Sequence, residues 1–525
     1  MTHDNLTLPK LIAKSCREYA KNEAIDGYNY TDLKDLIDRY VAGLKTLGLT
    51  KGDAVCSFFN QKSVDAPALA IAAMRIGGIH VPLASSFPQK RLSGQCQTIG
   101  RAVKLLAYGH DDIDRTQAEA VGKSLNLRAR AVTSLQSDKR DGTDVSAWED
   151  HGLILFTSGS SGSPKATPYR HKQLTLSLQA NVVALSFSSA TRVCNTIPYV
   201  WDGGNFDMFG PLTVGGAVCF VRDISPAGIA RTIVENRCTY ATMPPSLLQT
   251  VSIEALSHLD LLLSSGESAT LAQFQQWKTA LGKLSGTRLL NGYGLTESGI
   301  QNLEWECPEQ IPANMKAVPL GRPYADNSVY LDEATSELVL VGPQITEGYL
   351  GIESPAFVAP PSKFSKNHWA MRTGDSGWQD SEGLYYISGR LDNQLSIFSL
   401  RIEPEETETV AMTVSGVDFA HLFIHELGEG ETPSLVLAYH VVGAKHDSEL
   451  LSKEAYAEYE ETYEKQFREQ MNESVPSHQR PSTYFALGSI PRTISNKKDG
   501  RRIAALAVEA HERGLVDFEP FSLEM

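Results

Sequence analysis

The sequence predicts an α/β protein: a large N-terminal domain of two helix-covered sheets plus a small β-barrel-like subdomain, then a smaller α+β C-terminal domain. Three observations lead there. Short apolar runs alternate with helical stretches, which is how a parallel sheet and its crossover helices read in sequence. After about Val318 the texture changes to short strands separated by Gly, Pro and Asp turns, as in a small barrel. A length of 525 residues also suits three or four structural units of about 150 residues each.

In chain order, residues from about 8 to 48 read as helices with lysines on their outer faces, interrupted by the strand-like GYNYT. The runs AVCSFF, IHVPL, VKLLAYG and LILFT then supply a first parallel sheet, with SVDAPALAIAAMRIG among its covering helices. VCNTIPY, AVCFV, YATMP, LDLLLSSG and TRLLNGYG supply a second. VYLDE, ELVLVG and GLYYISG form the barrel-like unit. A boundary near Asp392 divides an N-terminal domain, residues 1–391, from a C-terminal domain, residues 392–525. In the latter, the charged stretch from Ser448 to Asn472 is polar nearly all round and reads as a solvated surface helix.

Composition excludes several classes. A formal net charge of -14 argues against a nucleic-acid or anionic-membrane surface. The 7 cysteines are dispersed with no C-x-x-C pair, so they read as reduced thiols and not as a disulfide framework or zinc site. The N-terminus lacks the apolar core of a signal peptide, and no apolar run is long enough to span a membrane. A cytoplasmic protein is expected.

Chemistry concentrates in a few loops. LFTSGSSGSPKA (Leu155–Ala166) breaks from an apolar run into small hydroxyl and glycine residues, whose backbone N–H groups can approach phosphate oxygens closely. It is not a Walker A loop, because Pro164 precedes Lys165 and Ala166 follows it. Downstream come NGYGLTES (Asn291–Ser298), RTGD (Arg372–Asp375), GRLDNQ (Gly389–Gln394) and PRTISNKKD (Pro491–Asp499). In order and spacing these resemble the core motifs of the adenylate-forming superfamily, which includes acyl-CoA synthetases, luciferases and adenylation domains of nonribosomal peptide synthetases. YTDLKDL, MRIGGIHVPL, DMFGPLTVGGAV and ELVLVGPQITEGYLG extend the resemblance over almost the whole chain.

The resemblance implies ATP and Mg²⁺ as cofactors and a two-step reaction. A carboxylate attacks the α-phosphate of ATP to give an acyl-adenylate and pyrophosphate, and a thiol then takes the acyl group. Thr157, Ser158, Gly159, Ser160, Ser161, Gly162 and Lys165 would cradle phosphates. Asn291, Gly292 and Tyr293 would flank the nucleotide, Thr296 would touch the α-phosphate, and Glu297 would hold the metal. Asp375 would accept the ribose hydroxyls, and Arg390 would meet ribose or phosphate. Lys497 would be the catalytic lysine, with Lys498 as the alternative one residue on. Asp392 would be the hinge about which the C-terminal domain rotates. Ser399 stands where relatives have a glycine, which would affect the passage of the thiol arm.

The resemblance also assigns a substrate pocket. Aligning YVWDGGNFDMFGPL with FDxSVWExFxPL of amino-acid-activating relatives puts Asp202 opposite the substrate's α-ammonium, and a buried carboxylate needs such a partner. The other lining positions would be Gly203, Phe206, Thr242, Leu263, Ser265, Gly292, Ile300 and Gln301. Two glycines leave room for a ring, so an aromatic or other large α-amino acid is expected, with a β-amino acid as the alternative. The implied enzyme is a free-standing ligase that loads the phosphopantetheine thiol of a separate carrier protein in natural-product biosynthesis, with a small helper protein as a further partner in some relatives. An acyl- or aryl-CoA synthetase is the nearest rival. A non-catalytic nucleotide-binding protein is disfavoured, because Lys165, Glu297, Asp375 and Lys497 are all present.

Overall fold

The computed structural model describes residues 5–60, 62–157, 164–365, 368–391, 395–397, 400–428, 431–442, 449–491 and 499–522. They fall into two compact units: a larger one built from the chain up to Ser85, Gln95–Thr157 and Lys165–Asp392, and a smaller one that gathers Ser86–Gly94 and the chain from Asn393 onward.

The larger unit contains two sheets with a common core. The first has six strands, in spatial order Ala129–Ala131, Val103–Tyr108, Ala54–Phe58, Ile79–Leu83, His151–Thr157 and Lys165–Arg170. All pair in parallel except the last, which turns back against His151–Thr157. The second has nine strands, and its parallel centre runs Arg288–Tyr293, Leu261–Ser265, Tyr240–Met243, Arg192–Asn195, Ala217–Phe220. Each of these five strands coincides with an apolar run expected to form one.

Side chains alternate across this sheet with period two. Val193, Tyr240, Leu261, Leu263 and Leu290 face inward, into the same core as Val55, Leu105, Leu153 and Leu155 of the first sheet. Cys194, Ala241, Leu262 and Leu289 face outward, under Ile229 and Ile233 of helix Pro226–Glu235 and Phe274 and Trp277 of helix Leu271–Leu284. Near the N-terminus the strand-like GYNYT is shorter than expected: only Tyr28–Asn29 is extended. Asn29 and Asp32 form a capping box that starts helix Tyr30–Thr46 at the very next residue. The part of the larger unit expected to be barrel-like is a five-stranded antiparallel sheet of Ser328–Leu331, Glu337–Gly342, Phe357–Val358, Trp369–Gln379 and Tyr385–Arg390.

The smaller unit centres on the strands Val417–His425, Ser434–Val441 and Thr483–Ala486, covered by helices Pro404–Ala411, Lys453–Ser474 and Gly500–Glu512. Here one expectation fails. Helix Lys453–Ser474 is not polar all round: Tyr456, Phe467 and Met471 are buried in the core, with Tyr459 and Tyr463 partly buried beside them. These residues recur every three or four positions and so form one apolar stripe on an otherwise charged helix. All seven cysteines are buried and free. Among the described residues no helix is long and apolar enough to cross a membrane.

Candidate functional site

The expected lining positions on strands cluster where ligands bind in open parallel sheets, at the carboxyl ends of the strands. Thr242 is next to last in Tyr240–Met243, Ser265 ends Leu261–Ser265, and Gly292 is next to last in Arg288–Tyr293. Register makes them neighbours: Thr242 pairs with Leu263, and Ser265 with Gly292. Phe206, 2% exposed, shares the inner core with Tyr240 and Leu263, its ring 5.7 Å from that of Phe187.

Asp202 opens the helix Asp202–Phe209, hereafter the pocket helix. Local chemistry fixes how the chain enters it. The Asn205 amide donates to the carbonyls of Tyr199 (2.5 Å) and Trp201 (2.9 Å), folding the preceding segment over the first turn. Tyr199 in turn donates to the Ser57 carbonyl at 2.9 Å, which ties this entry to the first sheet. Gly204 is obligatory, since a Cβ there would lie 2.0 Å from the Pro198 carbonyl oxygen. The Asp202 carboxylate accepts the Gly203 N–H at 2.7 Å and the Thr296 hydroxyl at 2.8 Å.

That second bond joins the pocket helix to the loop after Tyr293. Glu297, one residue on and 1% exposed, accepts hydroxyls of Thr157 (3.2 Å) and Tyr349 (2.8 Å). Lys165 pairs in register with Thr157 across the hairpin, its ammonium 5.2 Å from the Tyr349 ring centre. Tyr169, a buried residue of the same hairpin, donates to the Thr296 carbonyl. Burial, with the Asp202 and Glu297 carboxylates nearby, pushes its phenol well above the ordinary value. Thr157, Lys165, Asp202, Thr296 and Glu297 thus converge from three distant parts of the sequence.

Asp375, 4% exposed, forms a second group. The Tyr293 hydroxyl donates to one oxygen at 2.5 Å and Arg390 donates to the other at 2.9 Å. Arg390 also donates to the Thr373 carbonyl at 3.1 Å.

Other expected residues serve the framework. The Asn291 amide donates to the Pro319 carbonyl at 2.8 Å, and the Ser265 hydroxyl to the Gly292 carbonyl at 3.0 Å. The room expected above the two glycines is partly filled. A Cβ on Gly292 would lie 2.9 Å from Gln301 Cδ and 3.0 Å from Leu263 Cδ1, and one on Gly203 would lie 3.0 Å from Ile197 Cδ1. Ile300 holds a φ of 76°, a left-handed conformation that a β-branched residue adopts only under constraint, at about 1–3 kcal/mol. Ser158, Gly159, Ser160, Ser161, Gly162, Asp392, Lys497 and Ser399 lie outside the described residues. Sequence reading missed Tyr169 and Tyr349. Both stand in quoted or adjoining segments, but nothing local marks an aromatic as the donor to a loop 127 positions away, for Tyr169, or 52, for Tyr349.

Three carboxylates thus stand in this part of the larger unit: Glu297 beside Thr157, Asp375 held by Tyr293 and Arg390, and Asp202 bonded to Thr296. Comparison with known proteins gives the family. Residues 12–355 match the model of the family described as AMP-binding enzyme. The chain belongs to that family and is an adenylate-forming enzyme.

Among curated relatives it is 26% identical to syringomycin synthase SyrB1 of Pseudomonas syringae pv. syringae, over 99% of this chain and 86% of that protein. It is also 26% identical to malformin synthetase mlfA of Aspergillus sclerotiicarbonarius, over 97% of this chain but only 10% of that much longer protein. Its fold is shared by the artificially fused adenylation–PCP di-domain NpsA-ThdA of Klebsiella oxytoca, a nonribosomal peptide synthetase protein (TM-score 0.76, 18% identity, 99% of each chain). It is shared equally by the o-succinylbenzoate CoA synthetase MenE of Bacillus subtilis (TM-score 0.76, 17% identity, 94% and 98% of the two chains).

Proposed function

We propose that this protein activates an amino acid with ATP, forming an aminoacyl-adenylate and pyrophosphate, and then transfers the aminoacyl group to the phosphopantetheine thiol of a carrier protein. The observation that supports it best is Asp202: a carboxylate at the pocket mouth, hydrogen-bonded by Thr296 beside Glu297. An α-ammonium bound to Asp202 sets the substrate's own carboxylate next to Thr296, where the α-phosphate of ATP would lie. A fatty or aryl acid offers the half-buried Asp202 carboxylate no cation, whereas an α-ammonium would pair with it.

The remaining residues take roles that follow from their chemistry. Glu297 offers one hard carboxylate oxygen next to the Thr157 hydroxyl, a donor set suited to Mg²⁺ held by one carboxylate plus substrate phosphates. The ion would neutralise charge on the triphosphate. Asp375, oriented by Tyr293 and Arg390, accepts the ribose hydroxyls. The hairpin loop with Lys165 supplies donors to the phosphates, and Lys497 bridges substrate carboxylate and α-phosphate as a point charge. Asp392 acts as the hinge between the two half-reactions, with residues 392–525 as the moving lid. The carrier thiol is favoured by the sequence relatives, which are synthases and synthetases of peptides, since the fold is shared equally with a CoA synthetase.

The test is ATP–pyrophosphate exchange over proteinogenic, β- and substituted aromatic amino acids, with aryl and fatty acids alongside. Exchange that requires an amino acid supports the reading. Exchange with non-amino acids only, or thioester formation on coenzyme A in place of a carrier, would replace it with a CoA synthetase.

A further inference from the structure

The segment 344–350 is bonded through its main chain to both the Glu297 loop and the Lys165 hairpin. The Thr346 N–H and hydroxyl donate to the Glu297 carbonyl at 2.9 and 3.1 Å. Four residues on, the Leu350 N–H donates to the carbonyl of Ala166, the neighbour of Lys165, at 2.9 Å. Between these two anchors Glu347 accepts both prongs of Arg170, at 3.0 and 3.1 Å, which fixes the segment to the far end of the strand that Lys165 begins. Tyr349 stands at this junction, and its side chain repeats the connection. Its hydroxyl donates to Glu297 Oε1 at 2.8 Å, and the Lys165 ammonium lies over its ring, 5.2 Å from the centre. Phe357 meets that ring edge-on, with centres 5.3 Å apart and planes at 83°. A phenol on a carboxylate and a cation on a ring face are both attractive, and a side chain held at its hydroxyl and at its ring keeps one rotamer.

We propose that Tyr349 is a positioning residue for both charges at the nucleotide end of the site: its hydroxyl aims the Glu297 carboxylate and its ring seats the Lys165 ammonium. The assignment rests on the reading above, in which Lys165 meets the phosphates and Glu297 offers an oxygen to Mg²⁺. Lysine and glutamate side chains lose much rotamer freedom when they are ordered, and a ligand that must order them itself binds more weakly. Tyr349, already packed against Phe357 and carried on a segment tied at both ends, orders them before the nucleotide arrives. Its two actions are separable by chemistry. The hydroxyl serves the carboxylate and the ring serves the ammonium, so phenylalanine at this position removes the first and leucine removes both.

Binding of a fluorescent ATP analogue to the full chain, with Mg²⁺ and in EDTA, tests this alongside pyrophosphate exchange. In Tyr349→Phe the Mg²⁺ concentration at half-effect should rise about tenfold, while affinity for the analogue in EDTA stays within about twofold of the wild type. In Tyr349→Leu the Mg²⁺ requirement should rise equally, and the metal-free affinity should fall as well, by about threefold to fivefold. Adding Tyr349→Phe to Glu297→Gln should move the Mg²⁺ requirement little further, because the hydroxyl acts through that carboxylate. Phe357→Leu, which loosens the ring and leaves both charges in place, serves if Tyr349→Leu does not fold, and should lower the metal-free affinity about twofold. A purely structural role would weaken metal-free and Mg²⁺-dependent binding together in Tyr349→Phe. That result, full additivity with Glu297→Gln, or values unmoved in both Tyr349 variants would overturn the proposal. A Mg²⁺ requirement unchanged by Glu297→Gln alone would overturn the reading of Glu297 instead, and the metal-free affinity of Tyr349→Leu would still decide the role of the ring.

Discussion

Asp375 and Asp207 are both buried aspartates of the larger unit, and their surroundings are opposite. Asp375 receives a phenol on one oxygen and a guanidinium on the other. Asp207 receives one threonine hydroxyl, and its second oxygen meets nothing among the described residues. Two donors hold the Asp375 carboxylate in one orientation before any ligand arrives, which is how preorganised electrostatics works. Burial pushes the Asp207 carboxyl up to about 8, with Lys62 opposing the shift. Two aspartates almost equally shut from water are thus governed by different things, one by the donors around it and the other by its burial.

The largest effect is expected at Glu297, which like Asp375 is buried among donors. Glu297→Ala removes the acceptor shared by Thr157 and Tyr349 and should lower exchange by about 10²–10³-fold with unchanged circular dichroism. Asp202→Ala comes next. Loss of one partner from a buried charge pair costs about 2–5 kcal/mol, so KM for the amino acid should rise about thirty-fold or more. KM for its des-amino analogue should change far less; an equal rise for both would remove the ammonium contact.

The third prediction concerns pH. The folded Asp207 carboxyl titrates near 8 against an ordinary 3.8, a raised value. Its contribution to stability is therefore complete below about pH 4 and is lost as pH climbs toward 8, at up to about 1.4 kcal/mol per unit. Thermal unfolding should show the wild type losing more stability than Asp207→Asn between pH 5 and 8; parallel curves would mean that Asp207 is ionised throughout. Gly292→Ala should have the smallest effect. The added methyl must displace Gln301 or Leu263, costing about 1 kcal/mol, and should lower kcat/KM about fivefold for the best-activated acid.

Of the two aspartates, Asp375 was the legible one. NGYGLTES and RTGD are short contiguous stretches that carry the resemblance by themselves, and Asp202 came from the likeness of YVWDGGNFDMFGPL to a motif of amino-acid-activating relatives. The five central strands of the second sheet were equally plain, because each is a compact apolar run. Asp207 was not, since an aspartate after a phenylalanine looks like any helix carboxylate until tertiary register brings it to Thr242. Strands Glu23–Ile25 and Ala129–Ala131 are too short to show a period. In helix Lys453–Ser474 the abundant charges masked Tyr456, Phe467 and Met471, a stripe visible only when positions three and four apart are read together.

The burial of all seven thiols has a practical consequence. Burial pushes the thiols of Cys16 and Cys307 up to about 11, far from the thiolate that alkylating reagents require. A cysteine introduced on the surface would thus be the single fast-reacting handle on a native chain, ready for a fluorophore or spin label on either unit without first deleting natural ones. The slow labelling of the other seven would time the opening of the core that hides them.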